Sequence, residues 1–209
     1  MHAFRRNMKD QTMLYTFVAV LFLVGVVFGA LMVNALSLEQ QQELGTYLGN
    51  YFIEVDQGAA GIEQEVYWTI AGQHLKWIGL IWILGLSVVG LPGILVLDFL
   101  KGVLIGFTVG YLVGHFSWEG FLFALVSVAP HNLMIIPVLL ICSVGAVSFS
   151  INVIKKQVFS RRYDDLSKPF LTYTALFLVM AFITLGIASF ETWVTPVMMR
   201  WVTPLLVKL

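Results

Sequence analysis

The chain has 209 residues, of which 59% are hydrophobic and only 11% are charged, and its mean hydropathy is +0.88. Soluble domains carry about 25% charged residues, so this composition excludes an ordinary soluble protein and indicates a protein embedded in a lipid bilayer. The formal net charge is zero and gives no reason to expect nucleic-acid binding, and a single cysteine, Cys142, allows no internal disulfide.

The first predicted span is the uncharged segment 14–36, which is long enough to cross a bilayer. Arg5, Arg6 and Lys9 precede it, whereas the stretch 37–65 that follows carries six acidic residues and no lysine or arginine. Since the cytoplasmic flanks of membrane spans are enriched in basic residues, this asymmetry predicts a cytoplasmic N-terminus.

An amphipathic helix is predicted outside the membrane, over residues 37–56. Ser37 and Gln40 form a capping-box pattern, and the apolar residues that follow them have helical spacing. These are Leu44, Leu48, Val55 and the aromatic residues Tyr47, Tyr51 and Phe52. Two interpretations stay open: the helix lies on the bundle, or its three aromatic side chains form part of a docking surface for a partner.

Residues 77–97 are predicted to form the second span and residues 101–116 the third. Asp98 and Lys101 mark a tight cytoplasmic turn between them, because charged side chains are most easily accommodated at a membrane boundary. Pro92 is expected to kink or end the second span near that turn.

Glycines recur at every fourth position of the third span, and a pair with the same spacing occurs in the first span. They are Gly102, Gly106, Gly110 and Gly114, with Gly25 and Gly29. Positions four apart lie on one face of a helix, and in lipid a face without side chains lets another backbone approach closely. The stripe is predicted to pack against another helix of the same chain or, alternatively, against a second copy in a homodimer.

The segment 120–130 is apolar but too short to span, and it ends in a break formed by Pro130, His131 and Asn132. The fourth predicted span, residues 133–154, leads into a strongly basic loop that belongs in the cytoplasm. Because the third span ends outside, only one full crossing fits, so residues 120–130 are predicted to be a re-entrant half-helix. His131 and Asn132 then satisfy the interrupted backbone or, alternatively, serve transport or catalysis.

The fifth predicted span covers residues 170–190 and runs outward. The tail, residues 191–209, contains the sequence Trp-Val-Thr-Pro twice and suits the outer membrane interface, where tryptophans are common. Trp193 and Trp201 are therefore either passive anchors or part of a groove for a partner. The predicted fold is an all-α, single membrane domain with five transmembrane helices and a re-entrant half-helix, its N-terminus cytoplasmic and its C-terminus extracytoplasmic.

Few residues in the sequence suggest a catalytic or metal-binding site. The sequence contains no zinc-protease, serine-hydrolase or phosphate-loop pattern. His74, His115 and Glu119 could meet at the outer surface as metal ligands, but nothing in their spacing requires it. We therefore predict no metal, no cofactor and no enzymatic activity for this chain.

Three stretches resemble the stage II sporulation protein M family of endospore-forming bacteria. They are residues 17–29, 81–87 and 99–111, in matching order and followed by the break at Pro130. Many relatives have Pro-His-Gly at this break and an acidic residue shortly after it. This chain departs from that pattern, because Asn132 follows His131 and four apolar residues come next.

The resemblance implies a non-catalytic membrane scaffold of the engulfment machinery in sporulation. Such a scaffold recruits stage II sporulation protein P and, through it, protein D, the two enzymes that cut peptidoglycan. The resemblance also implies a multi-pass protein of the bacterial cell membrane, located at the sporulation septum and the engulfing membrane. A permease subunit of a membrane transporter is the alternative that the re-entrant segment suggests, and a membrane hydrolase is a third.

Overall fold

The computed structural model describes residues 2–56, 64–87, 90–159 and 167–206. Within these ranges the chain is almost entirely helical and contains no strand, which confirms the all-α class. The α-helices of the described ranges are α1 (His2–Met32), α2 (Leu38–Asp56), α3 (Gln64–Leu86), α4 (Gly90–Ser127), α5 (Ala129–Phe159), α6 (Ser167–Trp193) and α7 (Thr195–Leu206).

Four stretches of the described chain are long and apolar enough to cross a membrane. They are Gln11–Ala35, Gly90–Ser127, Ala129–Ile154 and Ser167–Pro204. The helix α3 is not among them, since Gln73, His74 and Lys76 lower its apolar character. The count of five spans and the orientation of the termini therefore stay predictions. The side chains of the N-terminal basic residues and most of the basic loop after residue 154 lie outside the described residues.

The helices α1 and α4 pack backbone to backbone along their glycine faces. A Cβ atom added at Gly106 would collide with the carbonyl oxygen of Val26, and four more glycines face backbone of the other helix in the same way. These pairs are Gly25 with Phe99, Gly29 with Val103, Gly102 with Phe22, and Gly110 with Ala30. The stripe on α4 is thus covered by α1 of the same chain, so a homodimer through it would have to displace α1. Gly114 differs, because no atom lies within 4 Å of a Cβ added there.

The boundary between the second and third predicted spans was wrong. The helix α3 ends at Leu86 and α4 begins at Gly90, so the predicted span 77–97 is divided between two helices. Gly90 allows a close approach to the backbone of Leu84, and Pro92 lies in the first helical turn, where a missing N–H breaks no helical hydrogen bond.

Asp98 and Lys101 accordingly lie inside α4 and mark no turn. Asp98 is buried and accepts a 2.7 Å hydrogen bond from the Ser143 hydroxyl of α5. The neighbouring helix α5 thus supplies a hydrogen-bond donor to this buried carboxylate.

A re-entrant half-helix requires the chain to reverse its direction at both ends of the segment 120–130. The described chain reverses at only one of them. The backbone reverses at Ser117, where φ is 50° and ψ is −123°, and Gly120 then lies close against the backbone of Leu112. No second reversal follows at Pro130, because helical hydrogen bonds continue through the break. The Val128 N–H donates to the Ala124 carbonyl at 2.9 Å, and the Asn132 N–H donates to the Val128 carbonyl at 3.4 Å. The segment 120–130 therefore runs on into α5.

The predicted amphipathic helix corresponds to α2, and its capping box is confirmed. The Ser37 N–H donates to Gln40 Oε1 at 3.0 Å, and the Gln40 N–H donates to Ser37 Oγ at 3.3 Å. Phe52 is only 2% exposed and lies edge-on to Phe123 at 4.8 Å between ring centroids. It belongs to the core beneath α2 and cannot form part of a docking surface, because its apolar ring is already covered by the bundle.

The predicted interfacial tail forms a helix over most of its length. A Val194 N–H to Phe190 carbonyl bond of 2.9 Å continues the path of α6 into α7, which packs against α2 and α4. The Trp201 side chain is 84% exposed, whereas Trp193 stacks on Tyr67 at 5.7 Å between centroids. The residues after 206 lie outside the described part of the chain.

We predict that Gly106→Leu lowers the free energy of unfolding by about 3 kcal/mol, because a side chain there must push two backbones apart. Thermal unfolding of the purified protein in detergent measures this loss. The matched control is Gly114→Leu on the same helix, where open space should accommodate the side chain without loss of stability. Equal losses for the two variants would contradict the glycine contact as the source of stability.

Candidate functional site

A cavity of about 660 Å³ is lined by residues of the helices α2 to α7. Its walls are largely apolar and include Leu48, Phe107, Phe123 and Met199. Polar side chains also line it, among them Glu54, Thr108, Ser127, His131, Glu191, Thr192 and Thr195. Pockets that bind small molecules in proteins are typically roughly 300–1,000 Å³, mostly apolar, and provided with a few convergent polar groups. This cavity has those properties, and it is the candidate functional site.

A hydrogen-bonded histidine–carboxylate pair closes one side of the site. His74 Nε2 of α3 lies 2.8 Å from Glu191 Oε2 of α6, and both side chains are largely buried. A buried carboxylate is strongly destabilising unless it is hydrogen-bonded or paired with a positive charge. The pair therefore both stabilises the Glu191 carboxylate and joins α3 to α6.

His131 adds a second imidazole to this arrangement. Its Nδ1 lies 3.1 Å from the Ser127 carbonyl oxygen, which can only accept a hydrogen bond, so we assign the ring proton to Nδ1. The lone pair on Nε2 then accepts a 3.0 Å hydrogen bond from Asn132 Nδ2, which also donates to the Val128 carbonyl at 2.8 Å. The two side chains bind backbone carbonyls one turn earlier in the chain, and the Val128 carbonyl accepts from the Asn132 N–H as well.

The imidazole and the carboxylate approach each other without bonding. His131 Nε2 is 3.7 Å from Glu191 Oε1, which exceeds a hydrogen-bond distance. Lys101 of α4 contributes a positive charge within electrostatic range of Glu191, while its ammonium group lies over the Trp77 ring at 5.6 Å. Three ionisable side chains from three helices, His74, His131 and Glu191, thus lie close together in an apolar bundle.

No group of three or more histidine, cysteine, aspartate or glutamate side chains in the described residues is arranged to hold a metal ion. The structure also separates the three candidate ligands considered from the sequence. His74 is paired with Glu191, and His115 stacks on Tyr111 with 5.4 Å between ring centroids.

Sequence reasoning missed Glu191. It stood at the end of a predicted span and looked like the start of an interfacial tail, whereas the helix continues past it. The absence of an acidic residue after Pro130, His131 and Asn132 was the departure from the family pattern. In the folded chain a carboxylate reaches His131 from α6, which only the tertiary structure could reveal.

The candidate docking residues are dispersed. Tyr47 and Tyr51 line the cavity, and the Tyr51 hydroxyl lies 3.7 Å from Met199 Sδ. Burial raises the pKa of Tyr51, with smaller contributions from nearby acidic groups. Tyr47 is 70% exposed at the edge of the cavity. Trp193 is exposed at the C-terminal end of α6, and Trp201 is exposed within α7.

We predict that His74→Ala destabilises the protein by about 3 kcal/mol, because it leaves a buried carboxylate without its partner. His115→Ala is the matched control, and it should cost about 1 kcal/mol or less through the lost ring stacking. Thermal unfolding in detergent distinguishes the two variants. A smaller effect for His74→Ala than for His115→Ala would show that the histidine–carboxylate pair contributes little.

The model of the stage II sporulation protein M family matches residues 18–196. No curated protein sequence and no solved structure matches the chain. The matched region contains the glycine contact between α1 and α4 as well as His74, His131 and Glu191. Since the match extends over most of the 209 residues, and since several helices are apolar enough to span a bilayer, the chain is a membrane protein that belongs to the stage II sporulation protein M family.

Proposed function

We propose that this protein is a non-catalytic membrane scaffold that positions peptidoglycan hydrolases during engulfment in sporulation. The observation that carries the proposal is the family match over residues 18–196. The partners proposed are stage II sporulation proteins P and D, with protein P in more direct contact. The proposed location is the sporulation septum and the engulfing membrane, with five spans and a cytoplasmic N-terminus.

The packing of α2 and α7 supports a scaffold role. These adjacent helices share a buried cluster that includes Phe52, Val55 and Met199. The cluster fixes the position of one helix relative to the other. Two large aromatic side chains, Tyr47 of α2 and Trp201 of α7, are exposed. Exposed tyrosine and tryptophan are enriched among the residues that dominate the binding energy of protein interfaces.

The hydrogen bonds made by two hydroxyl groups in the cavity favour a binding role over a catalytic one. The Ser127 hydroxyl donates to the Phe123 carbonyl at 2.7 Å, and the Thr192 hydroxyl donates to the Ala188 carbonyl at 2.8 Å. A nucleophilic hydroxyl is activated by donating its proton to a base, and these two donate to backbone of their own helix instead.

We predict that detergent-solubilised protein retains stage II sporulation protein P, and that Trp201→Ala weakens this retention by about tenfold, the usual effect of removing a central interface aromatic. Phe182→Ala is the matched control, since Phe182 is 79% exposed and belongs to α6, not to α2 or α7. Co-purification with quantified recovery measures both. A folded wild-type protein that fails to retain protein P would refute the scaffold role.

A permease subunit is the second candidate, and the buried ionisable cluster favours it. Ionisable side chains within apolar helices commonly mark substrate or proton pathways. His131 and Glu191 line the cavity from α5 and α6, as residues on such a pathway would.

We predict that His131→Ala and Asn132→Ala leave engulfment and complex assembly intact, because a scaffold does not use these side chains for transport. Microscopy of engulfing cells measures engulfment, and co-purification measures assembly of the complex. Loss of engulfment with assembly preserved would favour the permease and count against a purely structural role.

A further inference from the structure

The His131 ring makes two hydrogen bonds within α5, and one of them depends on the ring being neutral. Its Nδ1–H donates to the Ser127 carbonyl at 3.1 Å, and its Nε2 accepts from Asn132 Nδ2 at 3.0 Å. A protonated imidazole is a donor at both nitrogens and has no lone pair to accept with. Uptake of a proton by His131 therefore breaks its hydrogen bond with Asn132.

The Asn132 amide is poorly placed to receive the new proton. After protonation its N–H and the Nε2–H of His131 are two donors that face each other at 3.0 Å. Turning the amide over would present its oxygen to the ring, but the amide nitrogen would then lose its 2.8 Å bond to the Val128 carbonyl. That carbonyl would keep only the longer bond of 3.4 Å from the Asn132 N–H.

The Glu191 carboxylate of α6 offers a better acceptor. His131 Nε2 is 3.7 Å from Glu191 Oε1, and a charged N–H···O bond measures about 2.8 Å, so a movement of about 1 Å forms it. His74 does not prevent this, because it binds the other oxygen, Oε2, and a carboxylate oxygen can accept more than one hydrogen bond. Hydrogen bonds between ionised groups are roughly twice as strong as neutral ones, which favours the carboxylate over the amide.

The charges around His131 come from three of the four helices that pack against α5. Glu191 of α6 favours a positive ring, whereas Lys101 of α4 and a charged His74 of α3 oppose it. The fourth helix, α1, has no charged residue and no histidine among its described side chains, 11–32. The cavity wall has further titratable groups, none of which is among the charges that act on His131: Tyr47, Tyr51 and Glu54 of α2 and Tyr111 of α4.

We propose that His131 is a proton-dependent contact between α5 and α6. The neutral ring binds Asn132 within α5, and the protonated ring releases Asn132 and binds Glu191 of α6. His131 and Glu191 both line the cavity, with 16% and 20% of their side-chain surfaces accessible, so the proton reaches the ring through the cavity. Acidification thus adds a direct bond between the two helices in the cavity wall. This inference is independent of the proposed scaffold function.

Nitrogen NMR of the histidine rings follows this exchange directly. The chain has four histidines, so the spectrum of the full chain in detergent, with isotope-labelled histidine, contains few signals. The signals that disappear in His131→Gln belong to His131. At neutral pH we expect the His131 proton on Nδ1, and on acidification a second proton on Nε2 that is hydrogen-bonded to a carboxylate. A neutral His131 ring with its proton on Nε2 would overturn the proposal.

Glu191→Gln and Asn132→Leu should change the titration of His131 in opposite directions. Glu191→Gln removes the charge that favours the protonated ring, so the proton affinity of His131 should fall severalfold. Asn132→Leu removes the donor that favours the neutral ring, so the proton affinity should rise severalfold. His115 stacks on Tyr111 and is the internal control, whose titration should be the same in all three proteins. Changes in the same direction, or no change, would overturn the proposal.

Asn132→Leu decides the question alone if Glu191→Gln does not fold. If the Asn132 amide turned over and accepted from the protonated ring, it would favour the charged form, and Asn132→Leu would lower the proton affinity of His131. A rise in proton affinity supports the exchange from Asn132 to Glu191. A decrease, or an unchanged titration in folded protein, overturns it.

Discussion

The backbone contact between α1 and α4 is the interaction on which the rest of the bundle depends. In lipid, burial of apolar side chains gives little drive for helices to associate, so close packing and interhelical hydrogen bonds must supply it. Gly25 and Gly29 on one helix, and Gly102, Gly106 and Gly110 on the other, remove the side chains that would hold the backbones apart. The contact fixes α4, which in turn carries Lys101 and much of the cavity wall.

Polar contacts then tie the other helices to this pair. Asp98 of α4 accepts from Ser143 of α5 at 2.7 Å, Ser150 of α5 donates to the Gly85 carbonyl of α3 at 2.6 Å, and Tyr173 of α6 donates to the Trp82 carbonyl of α3 at 2.9 Å. Interhelical hydrogen bonds in membranes contribute about 0.6 kcal/mol each on average, so several are needed. Together they hold α3, α5 and α6 in the positions from which His74, His131 and Glu191 meet.

The cavity adjoins the exposed aromatic side chains of α2, since Tyr47 lines its edge. The helices α2 and α7 pack against each other through a shared buried cluster. The ionisable cluster joins α3, α5 and α6 around the Glu191 carboxylate.

Composition and local pattern were sufficient to determine that the protein is a helical membrane protein, that Ser37 and Gln40 cap a helix, and that the glycines form one bare stripe. These features depend on residues close together in the chain. The sequence could not show which helix covers that stripe, that Asp98 is buried rather than at a turn, or that the chain continues through Pro130. Those outcomes depend on contacts between helices that are far apart in the sequence. His74 and Glu191 are 117 residues apart, so only the packing of α3 against α6 brings them into contact.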